Sequence, residues 1–156
     1  MKSITPCLWF DGTAEEAANL YVSIFRNAKI TEISRCGDAG PLPTGAVWTV
    51  IFELDGRPFM ALNGGPMFKF TEAISFQIYC DTQEEVDHYW DSLVAGGTEQ
   101  PCGWLKDKFG VSWQVVPNRL IELIQGPDAA KSKRVMEAMF NMTKIDIATI
   151  EAAAGG

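Results

Sequence analysis

Four cysteines and a single histidine are the side chains best suited to covalent or metal chemistry in this sequence. Cys7, Cys36, Cys80 and Cys102 stand too far apart for a Cys-x-x-Cys metal or redox motif. Free thiols in a reducing, cytoplasmic setting are the expectation. A thiol becomes a nucleophile when a neighbouring His or Lys lowers its pKa; no such neighbour can be placed beside Cys7, so packing is its expected role. His88 falls on a helical pattern with Asp87 and Asp91, near a solvated edge. No carboxylate pair, Ser-His-Asp set or phosphate-cradling loop can be read. Gly64-Gly65 sits in a linker and Gly96-Gly97 follows a helix, whereas a nucleotide-binding loop joins a strand to a helix. Glu53 and Asp55 flank a hairpin, and Asp107 and Lys108 suit a turn.

The elements that position these residues come in two copies. Asp11-Gly12-Thr13-Ala14-Glu15-Glu16-Ala17 and Asp81-Thr82-Gln83-Glu84-Glu85-Val86 each follow a short apolar run and open a helical pattern. With Glu15 set on Glu84, Tyr21 falls on Trp90 and Ile24 on Leu93. The first copy reads as a strand over Ile4–Phe10 and a helix over Ala14–Phe25 that buries Ala17, Leu20, Tyr21, Ile24 and Phe25. A strand over Lys29–Cys36 and a hairpin of Val47–Leu54 and Phe59–Leu62 about Asp55-Gly56 complete it. The second reads as a strand over Ala73–Cys80, a helix over Gln83–Ala95 stopped by Gly96-Gly97, and strands near Thr98–Cys102, Trp104–Lys106 and Val111–Val116. Beyond Pro117 come Leu120–Leu123, a helix over Ala129–Phe140 with Met136, Met139 and Met142 in its packing stripe, and a tail helix from Ile145. Residues Ala152–Gly156 are expected to fray. Two α+β modules of this kind can face each other and enclose a cavity.

With 156 residues, 47% of them hydrophobic, the chain is expected to bury a core as a single domain. Module one covers about 1–66, module two about 67–125, and a helical tail about 126–156. The net charge of −7 leaves no basic stripe for nucleic acid. Lys131, Lys133 and Arg134 form the densest basic cluster and read as a solvated helix face. No apolar run is long enough to span a membrane, and the first residues lack a signal-peptide pattern.

Certain stretches go beyond pattern. Ile4-Thr5-Pro6-Cys7-Leu8-Trp9-Phe10-Asp11-Gly12, with Ala14-Glu15-Glu16-Ala17 and Tyr21–Phe25, resembles the opening of the PhnB-like branch of the vicinal oxygen chelate superfamily, which includes glyoxalase I, bleomycin-resistance proteins and extradiol dioxygenases. Ile74–Tyr79, Cys102–Gly110 and Val111–Pro117 resemble its second half. The resemblance implies a glyoxalase-like α+β fold of two βαβββ modules. Members of this branch often carry the label 3-demethylubiquinone-9 3-methyltransferase domain; nothing in the residues independently points to methyl transfer.

The same resemblance implies a curved sheet in each module, with its helix on the convex face and a cup on the concave one. Alternation then turns Ile74, Phe76 and Ile78 toward the helix and Ser75, Gln77 and Tyr79 into the cup, with Thr5, Cys7 and Trp9 as their counterparts. Gly56 and Gly110 mark equivalent turns, pairing Phe59 with Trp113 and Met60 with Gln114. Gln114 falls where metal-dependent relatives place a Glu ligand. The pocket candidates are therefore Cys7, Trp9, Met60, Ser75, Gln77, Tyr79 and Gln114, with Trp48, Trp104 and Trp113 as further aromatic lining. No His or carboxylate is among them, and a divalent ion favours such donors; no metal and no other cofactor is expected. Two buried glutamines that converge need partners, which a ligand, a water, each other or the backbone could supply.

Two classes of function follow. One is an enzyme of the superfamily acting on a small aromatic or quinone-like metabolite. The other is a non-catalytic pocket that sequesters or senses such a compound, which the missing ligands favour. A metal-dependent lyase or isomerase of the glyoxalase or dioxygenase type is the alternative. The resemblance also implies a homodimer.

Overall fold

The computed structural model describes residues 4–156, which divide into two compact units, 4–70 and 71–156. The first holds β1 (Cys7–Phe10), α1 (Ala14–Ile24), β2 (Lys29–Arg35), β3 (Val47–Leu54) and β4 (Arg57–Asn63), in the sheet order β1-β4-β3-β2. The second repeats this as β5 (Phe76–Cys80), α2 (Gln83–Val94), β6 (Thr98–Glu99), β7 (Trp104–Lys106) and β8 (Ser112–Pro117), in the order β5-β8-β7-β6. Each is a βαβββ module whose first and last strands pair in parallel while the other neighbours are antiparallel. The architecture is α+β, as expected.

Strand alternation assigns the two faces of each sheet. In the first, Leu8, Phe10, Val50, Phe52, Leu54 and Ala61 are buried, as are Ala14, Ala17, Ala18, Tyr21 and Ile24 of α1. The Tyr21 and Phe52 rings lie 6.1 Å apart. Leu20 and Phe25 are only half-buried, and Ala14 and Ala18 take the helix positions closest to the sheet. The β3–β4 turn has positive φ at both Asp55 (49°) and Gly56 (74°), as a two-residue hairpin matching strand twist requires. Thr13 stands at the N-cap of α1 but makes no side-chain cap bond. Buried Asn63 supplies it from β4, accepting the Ala14 N–H at 2.9 Å and donating to the Val47 carbonyl at 3.0 Å.

In the second unit Val86, Trp90 and Leu93 of α2 are buried, the counterparts expected from the repeat. Thr82 caps this helix by accepting from the Glu85 N–H. Three helices follow: α3 (Asn118–Gln125), α4 (Ala129–Phe140) and α5 (Ile147–Gly155). Leu120, Leu123, Val135, Ile145 and Ile150 form their core, with Met139 and Met142 packed against it.

Several boundaries differ from expectation. β1 starts at Cys7, although the Pro6 carbonyl still accepts the Met60 N–H. β5 starts at Phe76, so Ile74 precedes the strand and is 73% exposed rather than packed under the helix. β6 ends at Glu99, and Cys102, at φ 62°, turns its N–H to the Met142 carbonyl. Leu120–Leu123 lies inside α3. The tail does not fray from Ala152: α5 continues to Gly155, with Arg134 donating to the Ala153 and Ala154 carbonyls at 3.0 and 3.1 Å. Arg134 is thus bonded to the tail rather than part of a purely solvated face.

Candidate functional site

The face of each sheet turned away from its helix carries the residues of interest. On the second sheet, β5 and β8 run in parallel with Gln77 beside Gln114 and Tyr79 beside Val116, and Trp104 of β7 pairs with Gln114 from the other side. The side chains form a directed chain of hydrogen bonds. Tyr79 O–H donates to Gln77 Oε1 at 2.6 Å. Gln77 Nε2 donates to Gln114 Oε1 at 3.2 Å, and Gln114 Nε2 to Ser75 Oγ at 2.7 Å. Four of the expected pocket residues are therefore linked. The glutamines meet each other's needs in part, while Ser75 keeps an O–H to donate and Tyr79, 54% exposed, keeps oxygen lone pairs to accept.

On the first sheet the equivalent positions are Cys7 and Met60, which share one register pair. Trp9 lies two residues along on the same face, its indole N–H bonded to the Gly65 carbonyl at 2.8 Å and its ring set edge-on to Phe68 at 4.9 Å. A side chain at Gly64 would meet the Trp9 ring at 2.3 Å, so the Gly64-Gly65 pair serves close packing. Burial raises the Cys7 thiol above its ordinary value, which reduces its thiolate content. Burial, then the charges of Glu85 and Asp81, push Cys80 up to about 12. All four thiols are free.

One aromatic expectation changes. Trp113 is buried on the helix side, donating its indole N–H to Asp107 at 2.9 Å. Trp48 falls at a register shift of the β2–β3 pair, where Ser34 pairs with Thr49 and Arg35 with Val47, and is 41% exposed. Of the five tryptophans, Trp104 and Trp9 face the open side. Asp107 is a turn former as read: its carboxylate also accepts the Phe109 and Val111 N–H groups at 2.9 and 3.0 Å.

Sequence reasoning missed Ser112 and the Glu72–Lys106 pair. Ser112 pairs with Lys106, on the same face as Gln114 two residues on, and is 1% exposed. Its Oγ has no hydrogen-bond partner among the described residues. Parity with Gln114 was the available signal. Glu72 pairs with Lys106 and accepts from Gln100, and these bonds, with one to its own backbone, hold its carboxyl down at about 2.

The donor chemistry bears on metal binding. At the positions in question the second sheet offers two neutral amides, already bonded to each other, and the first a thiol and a thioether. Such donors do not fit a hard divalent ion. Among the described residues, no three His, Cys, Asp or Glu side chains gather in a metal-holding group. His88 is exposed on α2 against Tyr89.

Paired βαβββ modules with these open faces define a vicinal oxygen chelate protein. The sequence profile of 3-demethylubiquinone-9 3-methyltransferase matches residues 2–116, and the chain belongs to this PhnB-like family. A PhnB protein from Bacillus cereus with the same methyltransferase designation is similar to it at 38% identity and a TM-score of 0.69, over 74% of this chain and 99% of that one. Protein PA1353 from Pseudomonas aeruginosa shares the fold at 22% identity and TM-score 0.63, over 75% and 98% of the two chains. The fosfomycin resistance protein FosX from Listeria monocytogenes does so at 16% and 0.52, over 76% and 93%. No protein of curated function matches the sequence. Among the described residues no helix is long and apolar enough to cross a membrane.

Proposed function

We propose that the open face of the second sheet binds a small, uncharged aromatic or quinone-like molecule without a metal ion. The observation that carries this reading is the Tyr79–Gln77–Gln114–Ser75 chain. It presents an acceptor at one end, a donor at the other and spare amide hydrogens between, beside the Trp104 ring. A flat ring bearing hydroxyl or carbonyl oxygens complements that surface; an aromatic wall with a few placed polar groups is the usual make-up of a ligand site.

Binding rather than methyl transfer is the better account of these residues. The family's methyltransferase name implies S-adenosylmethionine, yet neither glycine pair makes a cofactor loop. Gly64 accommodates Trp9, and a side chain at Gly97 would meet the Lys106 carbonyl at 2.0 Å. The metal-dependent lyase or isomerase has no carboxylate or imidazole at Gln77, Gln114, Cys7 or Met60 to support it. A cytoplasmic homodimer remains our proposal for the working form, with light scattering on the purified chain as its check.

Calorimetry on the full chain tests the reading with duroquinone and 4-hydroxyacetophenone, both uncharged and inert to thiols, and with S-adenosylmethionine. We expect binding of at least one aromatic probe and none of S-adenosylmethionine. A stoichiometric divalent ion in protein purified without chelators would overturn the metal-free reading.

A further inference from the structure

The family profile ends at Val116, and α3, α4 and α5 lie wholly beyond it. Between α4 and α5, residues 141–146 come back onto the second module as a strap. Met142 and Thr143 offer their carbonyls to the N–H groups of Cys102 and Gly103, at 2.9 and 2.7 Å. The Gln83 side chain of α2 grips the far end of the strap: its amide donates to the Ile145 carbonyl at 3.2 Å and accepts the Ile147 N–H at 2.9 Å. Lys144 adds ion pairs to Asp87 and Asp91 at 3.0 and 3.4 Å. The strap thereby holds the loop that carries Trp104. Pro101, Cys102 and Gly103 join β6 to β7, and the Gln100 N–H closes the loop on the Trp104 carbonyl at 2.9 Å. Cys102 and Gly103 both take left-handed backbone, at φ 62° and 81°. For a residue with a side chain, such as Cys102, that conformation is costly and persists where surrounding contacts dictate it. The strap supplies those contacts through its two carbonyls. Gly103 has no room for a side chain, since a Cβ there would lie 2.8 Å from the Val115 carbonyl oxygen and 3.2 Å from Ile145. Its own carbonyl accepts the Val115 N–H at 2.8 Å, one residue along β8 from Gln114.

We infer that this strap positions the Trp104 wall of the candidate ligand face, with Gln83 as the residue that seats it. The inference rests on the reading of the open face as a ligand surface and adds what sets the indole beside the glutamines. Gln83 is a positioning residue: it acts through the strap and the Cys102–Gly103 turn, and Trp104 follows directly in the chain and pairs with Gln114. A ring wall that is already in place spares a ligand the cost of ordering it. Coupling then runs both ways. Loosening the strap weakens binding, and a ligand seated against Trp104 steadies the strap.

The test uses the full chain as wild type, Gln83→Ala and Asn63→Ala, the last a change in the first unit. Calorimetry reads affinity for 4-hydroxyacetophenone. Nuclear magnetic resonance reads amide exchange at Cys102 and Gly103 and the indole N–H signal of Trp104. We expect Gln83→Ala to speed exchange at both amides about tenfold beyond any rise shared by other amides of the unit. It should also move the Trp104 signal and bind the probe about threefold more weakly. Asn63→Ala should leave that signal and the affinity at wild-type values. In wild type, saturating probe should slow exchange at Cys102 and Gly103 about threefold, the reciprocal effect, an arm that stands even if Gln83→Ala does not fold. Unchanged exchange in Gln83→Ala would overturn Gln83 as the seat of the strap. Faster exchange with the Trp104 signal and affinity unchanged, or no slowing at saturation, would reduce the strap to packing and overturn the inference while leaving the open-face reading intact. No binding of 4-hydroxyacetophenone or duroquinone to wild type would remove the open-face reading, and the strap's part in binding with it.

Discussion

Gln77 donates to Gln114 across the parallel β5–β8 pair at 3.2 Å, and the same register position in the first sheet holds Cys7 and Met60. The duplicated scaffold thus carries a polar pair in one copy and a sulfur pair in the other. Tyr79 completes the polar copy by donating to Gln77 Oε1. Tyr79→Phe removes that bond at a largely exposed ring, so stability should change by less than about 1 kcal/mol. If the amide chain orients a ligand, affinity for 4-hydroxyacetophenone should fall about fivefold. Urea unfolding and calorimetry on one preparation separate the two effects; a large stability loss with unchanged affinity would assign Tyr79 to structure alone.

Asp107 is buried and accepts from the Phe109 and Val111 N–H groups and the Trp113 indole. Asp107→Ala leaves three donors orphaned and should cost about 3 kcal/mol or more. Asp107→Asn keeps acceptors for the backbone groups but turns a donor toward the indole, and should fall between. Chemical denaturation measures both, and near-ultraviolet circular dichroism reports the released Trp113.

Regular periodicity made much of this architecture legible. α4 falls on Ala129–Phe140 and β7 on Trp104–Lys106 as read, because the helical spacing of Met136 and Met139 and the apolar strand pattern are local signals. The start of β5 was misread for a local reason. Ala73 and Ile74 prolong an apolar run, yet the Ala73 N–H bonds Thr71 Oγ1 and Glu72 reaches across to Lys106, holding the segment out of the ladder. In the candidate site, Gln77, Tyr79 and Gln114 could be placed together because alternation and turn spacing fix which face they take. The same alternation sets Trp113, the neighbour of Gln114, on the opposite face, whereas Trp48 lies at a register shift that no local pattern reveals. Asn63 escaped notice because its partners, Ala14 and Val47, are distant in sequence.

Asn63 is the clearest such case: from β4 it satisfies the first turn of α1 and the start of β3 together. Asn63→Ala should cost about 2 kcal/mol, since it orphans a buried donor and a buried acceptor at once. The loss should appear as a lower urea midpoint with an unchanged slope. Thr13→Ala, at the cap position that makes no side-chain bond, should differ from wild type by less than about 0.5 kcal/mol. A larger effect at Thr13 than at Asn63 would contradict this division of roles.

The Glu72–Lys106 pair makes a signed prediction about pH. Hydrogen bonds from Lys106, its own backbone and Gln100 lower the Glu72 carboxyl from 4.5 to about 2 in the folded chain. A depressed carboxylate stabilises the fold above its unfolded pKa, and that contribution is lost as pH falls through the folded value. The advantage of wild type over Glu72→Gln should therefore be level above about pH 5 and shrink toward about pH 2. Because the carboxylate is exposed, the advantage should be small and should fall with added salt. Thermal unfolding of both proteins across this range, at low and high salt, checks it. A difference that widened on acidification would mean that Glu72 is not held as an anion by Lys106.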